Sequence, residues 1–308
     1  TKPQDEAIPC GKLELIKDKK SIIVTGENFK AEFGQNSGLL HSYVYNGTEL
    51  LKRPVTPNFY RAWVDNDIAN GMPLRCRVWV QNSHRRELNE LAQIHTDANQ
   101  IIIKASFSLN DLHDDWCVGH YSHSLCTMTY TINADGKISI TEQVFPLPNM
   151  PELPTFGSKI VMENEFCNMK WYGRGPSESM WDRKSGEKIG LYSGTVKEQF
   201  VPYLTPQECG NKTDVRFAEI TNASGVGLRI CGMPYMEFNA NEWDNDEIIN
   251  ANHAYKLPNP DKTVLYINYH QTGVGGDTTW GTLAHQQFTL YSNTDYTFKF
   301  SIQGIYPT

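Results

Sequence analysis

Short runs of β-branched and aromatic residues recur along the chain, separated by Gly, Pro, Asn and Asp, and within the runs apolar and polar positions tend to alternate. Alternation with a period of two turns one side of an extended segment toward a core and the other toward water, so the pattern predicts strands. They are expected at 21–25, 29–33, 39–45, 101–109, 125–132, 137–144, 215–221, 226–230, 263–269, 287–291 and 296–302. Asn46-Gly47 and Asp135-Gly136 each separate two such runs, and both dipeptides tolerate the positive φ of a tight hairpin turn. Helical spacing is scarce: 85–93 is the longer candidate, with one or two turns near 182–188 and 246–252. The texture predicts an all-β sandwich or barrel.

A chain of 308 residues can bury a substantial core as one large β domain or two ordinary ones. The first twenty residues differ from the rest, with Pro3, Pro9 and the charged run Lys17-Asp18-Lys19-Lys20. We therefore expect 1–20 to be a connector or edge segment and 21–308 to be one β domain. A second Pro-rich patch, Pro146, Pro148, Pro151 and Pro154, reads as a crossover within that domain because strand texture is the same on both sides. There is no fixed-period repeat and no Gly/Ser linker.

The formal charge of −7, without a block of like charge, argues against nucleic acid or an anionic membrane surface as partner. No run approaches about 18 consecutive apolar residues and the start is polar, so neither a transmembrane helix nor a signal peptide is expected. A start other than Met fits a mature or shortened chain, and the compartment, cytoplasmic or periplasmic, stays open. Seven cysteines are dispersed without a C-x-x-C pair or short Cys/His spacing, which disfavours a structural zinc site and fits mostly buried, reduced thiols.

Several polar segments sit in loop-like settings. The run Gly273-Val274-Gly275-Gly276-Asp277 through Trp280-Gly281 follows a predicted strand; its glycines let backbone approach a ligand, and its Trp can grip a sugar ring or simply enter the core. Asp65-Asn66-Asp67, after Phe59-Tyr60-Arg61, can bind a hard cation or sugar hydroxyls, or satisfy local backbone as an Asx turn. Arg174, in Tyr172-Gly173-Arg174-Gly175-Pro176, can touch a ligand or pin its loop to a carboxylate. Glu208 and Asp214, in a Pro-bounded segment, read as acids or as structural acceptors, and His253 and His270 as ligands or hydrogen-bonded structural residues.

In this order and spacing, these segments resemble the C-terminal β-domain, or small chain, of family 2 glycoside hydrolase β-galactosidases. The resemblance runs from about 29 to 303. Its specific portions are Phe59-Tyr60-Arg61-Ala62 through Asp67, Tyr172-Gly173-Arg174-Gly175-Pro176 through Asp182-Arg183, Pro202-Tyr203 through Asp214-Val215-Arg216, and Gly273 through Gly281. It implies a large two-sheet antiparallel supersandwich of the galactose mutarotase-like kind, packed beside a catalytic TIM barrel that this chain lacks. Retaining hydrolysis needs two carboxyl groups about 5 Å apart. In the family both are barrel glutamates, within Ser-Leu-Gly-Asn-Glu-like and Cys-Glu-Tyr-like stretches absent here, so the chain alone is expected to be inert.

By the same resemblance, Trp280 forms an apolar platform for the sugar beyond the scissile bond, with Asp277, Gly275 and Gly276 shaping its loop. Asp65, Asn66, Asp67, Arg174, Glu208 and His270 are secondary candidates. The expected ligand is a β-galactoside or other carbohydrate, and the expected partners are the barrel and, at full length, further copies of the enzyme. No cofactor is expected on this chain; a divalent cation such as Mg would belong to the barrel. Trp63 and Cys209 depart from the family pattern, where a small residue and Asn are common. Two other classes remain open: a free-standing carbohydrate-binding module, and an aldose 1-epimerase-like enzyme using Glu208 with His123 or His270 as base and acid.

Overall fold

The computed structural model describes residues 11–97, 99–109, 123–278 and 280–307, with backbone alone at 93–95. The opening ten residues of the expected connector, Cys10, Cys117 and Thr279 lie outside the described residues. β1 (Glu14–Lys17), β2 (Ser21–Thr25), β3 (Phe29–Gly34), β4 (Leu40–Tyr45) and β5 (Thr48–Glu49) form an antiparallel sheet in sequence order, with β1 at its edge. A second antiparallel sheet takes β6 (Arg53–Asn58), β7 (Glu87–Thr96), β8 (Gln100–Leu109), β9 (Ser124–Asn133), β10 (Ile138–Phe145) and β11 (Thr155–Glu163). It also takes β12 (Asn168–Gly175), β13 (Lys188–Thr195), β14 (Lys212–Thr221), β15 (Gly227–Asn241), β16 (Lys262–Gln271) and β17 (Tyr296–Ile305). The protein is thus the expected all-β, two-sheet assembly.

The longest path through the second sheet runs β13-β12-β14-β15-β17-β10-β9-β8-β7. β15 is its branch point. One edge of β15 pairs with β14; the other pairs with β17 over 227–232 and with β16 over 237–241. From β16 the sheet continues to β11 and then β6. The Pro-rich segment 146–154 carries the chain from β10 to β11, and Trp79 Nε1 donates to the Pro151 carbonyl at 3.0 Å.

Alternation accounts for most of the core. Along β8, Ile101, Ile103, Ala105, Phe107 and Leu109 are buried, while the residues between them are half-buried. Phe33 meets Tyr130 edge to face at 4.9 Å between ring centroids, a favoured aromatic geometry. Tyr43 clasps the smaller sheet to the larger: its hydroxyl donates to the Gly136 carbonyl at 2.8 Å and accepts from the Gly304 N–H at 3.0 Å. Asn46 and Gly47 both have positive φ between β4 and β5, and Gly136 has positive φ between β9 and β10, so both expected turns form.

Three expectations need correction. Residues 85–93 are not a helix: β7 runs through them and pairs with β8. Register shifts at Leu88/Glu90 and Gln93/His95 break its alternation and leave apolar residues three apart, which imitates helical spacing. Helix occurs instead before β7, as α1 (Asp65–Ala69), α2 (Met72–Arg75) and α3 (Arg77–His84). Two later helices are α4 (Val196–Gln199) and α5 (Asn245–Asn250), the latter overlapping the expected 246–252 region. Residues 182–188 hold a Met180–Arg183 bridge and turns rather than helix, leading into β13. Residues 287–291 are not a strand: a 3-10 turn, Gln286–Phe288, is followed by a single bridge from Leu290 to Leu153. Among the described residues, no helix is long and apolar enough to cross a membrane.

Candidate functional site

Beyond β16 the chain turns back on itself, and its stem is tied to the core before the glycines begin. Thr272 donates its N–H to the Pro154 carbonyl at 2.9 Å and its hydroxyl to the Leu153 carbonyl at 2.7 Å. Arg61 donates to the Thr272 carbonyl at 3.2 Å. The loop then borders an open cleft of about 900 Å³, lined among others by Asp65, Asn66, Asp182, Gln207, Glu208 and Trp280.

Asp65, Asn66 and Asp67 open α1, where consecutive side chains fan out by about 100° per residue. Each therefore has a different fate. Asp65 lines the cleft and takes part in a reciprocal pair with Gln207: its N–H donates to Gln207 Oε1 at 3.2 Å and its carboxylate accepts from Gln207 Nε2 at 3.3 Å. Asn66 reaches the far side of the Gly-rich loop, accepting from the Gly281 N–H at 2.7 Å and donating to the Thr282 carbonyl at 3.0 Å. Asp67 turns inward to a bidentate ion pair with Arg61, each side chain only 2% exposed. A buried pair of this kind persists when the partners satisfy one another; Asp67 is therefore removed from the cleft.

The near side of the loop is held by Asp182, whose two carboxylate oxygens accept from the N–H groups of Val274 at 3.2 Å and Gly275 at 2.8 Å. Its predecessor Trp181 stacks on His270 with centroids 4.2 Å apart and planes 4° from parallel, and meets Phe288 edge-on. His270 donates from Nδ1 to the Glu237 carboxylate at 2.9 Å. It therefore supports the segment bearing Asp182 and is not among the cleft's lining residues.

Between these two anchors the Trp280 side chain is 88% exposed. Asp277, beside it, pairs with His285 Nε2 at 2.8 Å, and His285 lines the cleft together with Gly275 and Gly276. On the other wall, Glu208 is only 4% exposed and accepts from Asn239 Nδ2 and Gln271 Nε2, both at 2.8 Å. Burial pushes its carboxyl up from the ordinary value, opposed by those amides and by the nearby Arg61 cation. Arg174 lies elsewhere, pairing with Asp214 at 2.5 Å and donating to the Lys184 and Glu187 carbonyls. Of the secondary candidates, the cleft thus gathers Asp65, Asn66 and Glu208 but not Asp67, Arg174 or His270.

Sequence reasoning missed Asp182, Gln207, Tyr203 and His285 as cleft residues. Asp182 closes one of the matched segments and Tyr203 and Gln207 lie in another, which was the available signal. Tyr203 bonds Glu178, which also accepts from Arg183 and from the Gly210 N–H. Cys76, Cys126 and Cys209 are buried and unpaired, while Cys167 is exposed. Among the described residues, no three His, Cys, Asp or Glu side chains converge as a metal site. An exposed indole on a braced loop beside a polar cleft can cover the C–H face of a sugar ring, and the cleft walls can hydrogen-bond its hydroxyls.

Comparison with known proteins follows the same lines. The chain is 40% identical over 308 residues to a β-galactosidase of Priestia megaterium, covering 98% of this chain and 29% of that protein. It is 30% identical over 295 residues to a β-galactosidase of Streptococcus thermophilus, covering 95% of this chain and 28% of that protein. It therefore spans under a third of these relatives' length. A solved galactose 1-epimerase from Lactobacillus acidophilus NCFM superposes with TM-score 0.50 at 8% identity, over 97% of this chain and 100% of that one. That likeness concerns the fold alone, which is galactose mutarotase-like. Residues 25–302, every wall of the cleft included, match the family described as beta galactosidase small chain, and the chain belongs to it.

Proposed function

We propose that this chain forms one wall of the sugar pocket of a β-galactosidase, whose full-length form removes terminal non-reducing β-D-galactose with retention of configuration. The acid and the nucleophile belong to a TIM barrel outside this chain, and Trp280 supplies the apolar surface for the sugar beyond the scissile bond. The reading rests most on one observation: an indole 88% exposed to solvent, at the mouth of the cleft, on a loop that Asn66 and Asp182 hold from both sides. An exposed aromatic of that size is a binding surface more readily than a packing element. Its contribution falls on substrate and acceptor binding rather than on chemistry at the anomeric carbon.

The chain alone is expected to release no nitrophenol from a nitrophenyl β-galactoside, and addition of the separately expressed remainder of the enzyme to restore turnover. Turnover by the chain alone would sink the assignment of both carboxylates to the barrel. An aldose 1-epimerase would instead need its base and acid to meet on one sugar. Glu208 is engaged by Asn239 and Gln271, and His270 by Glu237 and Trp181, which disfavours that pairing. Accelerated mutarotation of fresh α-galactose would revive it, and tight galactoside binding without complementation would point to a free-standing binding module.

A further inference from the structure

We propose that Asn66 and Asp182 are positioning residues for the sugar platform, setting affinity for the aglycone or acceptor sugar through Trp280. The proposal rests on the reading of Trp280 given above. The loop from Gly273 to Gly281 contains four glycines and so has wide conformational freedom of its own. A platform that must be ordered at every binding event loses affinity, and one that is already ordered does not.

Here the order comes from two side chains distant in sequence. Asp182 uses both oxygens on the Val274 and Gly275 N–H groups, at the entry to the loop. Asn66 uses both ends of its amide at the exit: Oδ1 accepts from Gly281, and Nδ2 donates to the Thr282 carbonyl, with a longer 3.5 Å approach to the Val274 carbonyl. Only an amide can accept and donate in this way; a carboxylate at position 66 would keep the first bond and lose the others. Trp280 immediately precedes the residue that Asn66 grips.

The anchors are themselves fixed. Asn66 stands beside the buried Asp67–Arg61 pair, and Asp182 follows Trp181, which is stacked on His270. Both therefore line the cleft with their polar atoms already turned to the loop, placing Trp280 rather than gripping the sugar.

The test has two parts. In this chain, amide hydrogen exchange is followed at Gly281 and Gly275 in the parent, Asn66→Ala, Asn66→Asp and Asp182→Asn. Loss of one such hydrogen bond is expected to speed exchange at Gly281 by about tenfold in Asn66→Ala, with Asn66→Asp retaining protection there. Asp182→Asn is expected to act at Gly275 instead. In the intact enzyme, Asn66→Ala is expected to raise the lactose KM with little change in kcat, and to add nothing in a Trp280→Ala background. Unchanged exchange at Gly281, or effects of Asn66→Ala and Trp280→Ala that simply add, would overturn the proposal. If Trp280→Ala alone left lactose kinetics unaltered, the platform reading would fail while the exchange result still reported on the anchors. Should Asn66→Ala not fold, Asp182→Asn carries both measurements: faster exchange at Gly275 and a raised lactose KM that adds nothing to Trp280→Ala are expected, and unchanged exchange at Gly275 or simple additivity would overturn the proposal.

Discussion

Asp67 and Arg61 face one another in the interior, six residues apart in sequence and each 2% exposed, and the same guanidinium also donates to the carbonyl of Thr272 at 3.2 Å. The first turn of α1 and the stem of the Gly-rich loop are thereby joined through one cation. Replacing Asp67 by Ala would strand that cation away from water. Removing one partner of a buried pair typically costs about 3–5 kcal/mol. Urea denaturation of Asp67→Ala is expected to show a loss of that order, and a loss below about 1 kcal/mol, as for an exposed pair, would refute the buried-pair account.

Trp280 makes the opposite case. Because its side chain is almost fully exposed, Trp280→Ala is expected to leave the chain's stability within about 0.5 kcal/mol of the parent. In the intact enzyme the same change is expected to raise the Michaelis constant for lactose and slow transfer to acceptor sugars. A large drop in melting temperature together with normal lactose kinetics would identify Trp280 as a packing residue.

Gly281 has φ +95, and a Cβ there would lie 2.8 Å from the backbone of Ala69 at the end of α1. An Ala at this position is strained in conformation and crowded against backbone. Gly281→Ala should therefore displace the loop from α1, raising the lactose KM in the intact enzyme as Trp280→Ala does. Near-parental kinetics in a folded Gly281→Ala enzyme would mean that the loop tolerates another path.

Away from the cleft, Glu142 on β10 is fully buried, with one oxygen accepting from the Ser158 hydroxyl at 2.7 Å and the other without a partner. Burial pushes its carboxyl up to about 8, against an opposing contribution from Arg86. Between the ordinary value near 4.5 and about 8, the unfolded chain releases this proton and the native one retains it. The unfolded state is favoured as pH rises, so this group's stabilising contribution is complete below about 4.5 and declines toward 8. Melting temperatures taken near pH 5 and near pH 8 should fall less for Glu142→Gln than for the parent, and equal falls would exclude Glu142 as the source.

Strands buried on one face were legible because their composition alternates: the expected 21–25 coincides with β2, and 101–109 differs from β8 by one residue. β11 escaped notice for the converse reason. It is buried on both faces, so Thr155, Phe156, Gly157 and Ser158 carry no alternation at all. At the cleft, the right segments were identifiable but the direction of each side chain was not. Asp65, Asn66 and Asp67 read as one polar cluster, and only the helical start sends them to Gln207, to Gly281 and to Arg61 respectively. Asp182 and His285 gain significance only through partners 93 and 8 residues away, a relationship that no local pattern encodes.

The divided edge of β15 bears on how the molecule comes apart. Its first half holds β17 and its second half holds β16, from which the Trp280 loop departs, so no seam separates the loop's strand from the rest of the sheet. Peeling β16 away would fray the same strand that secures the chain's last ladder. Heating is therefore expected to erase the pocket wall and the body beneath it in one cooperative step, with no intermediate in which a folded scaffold carries a melted wall.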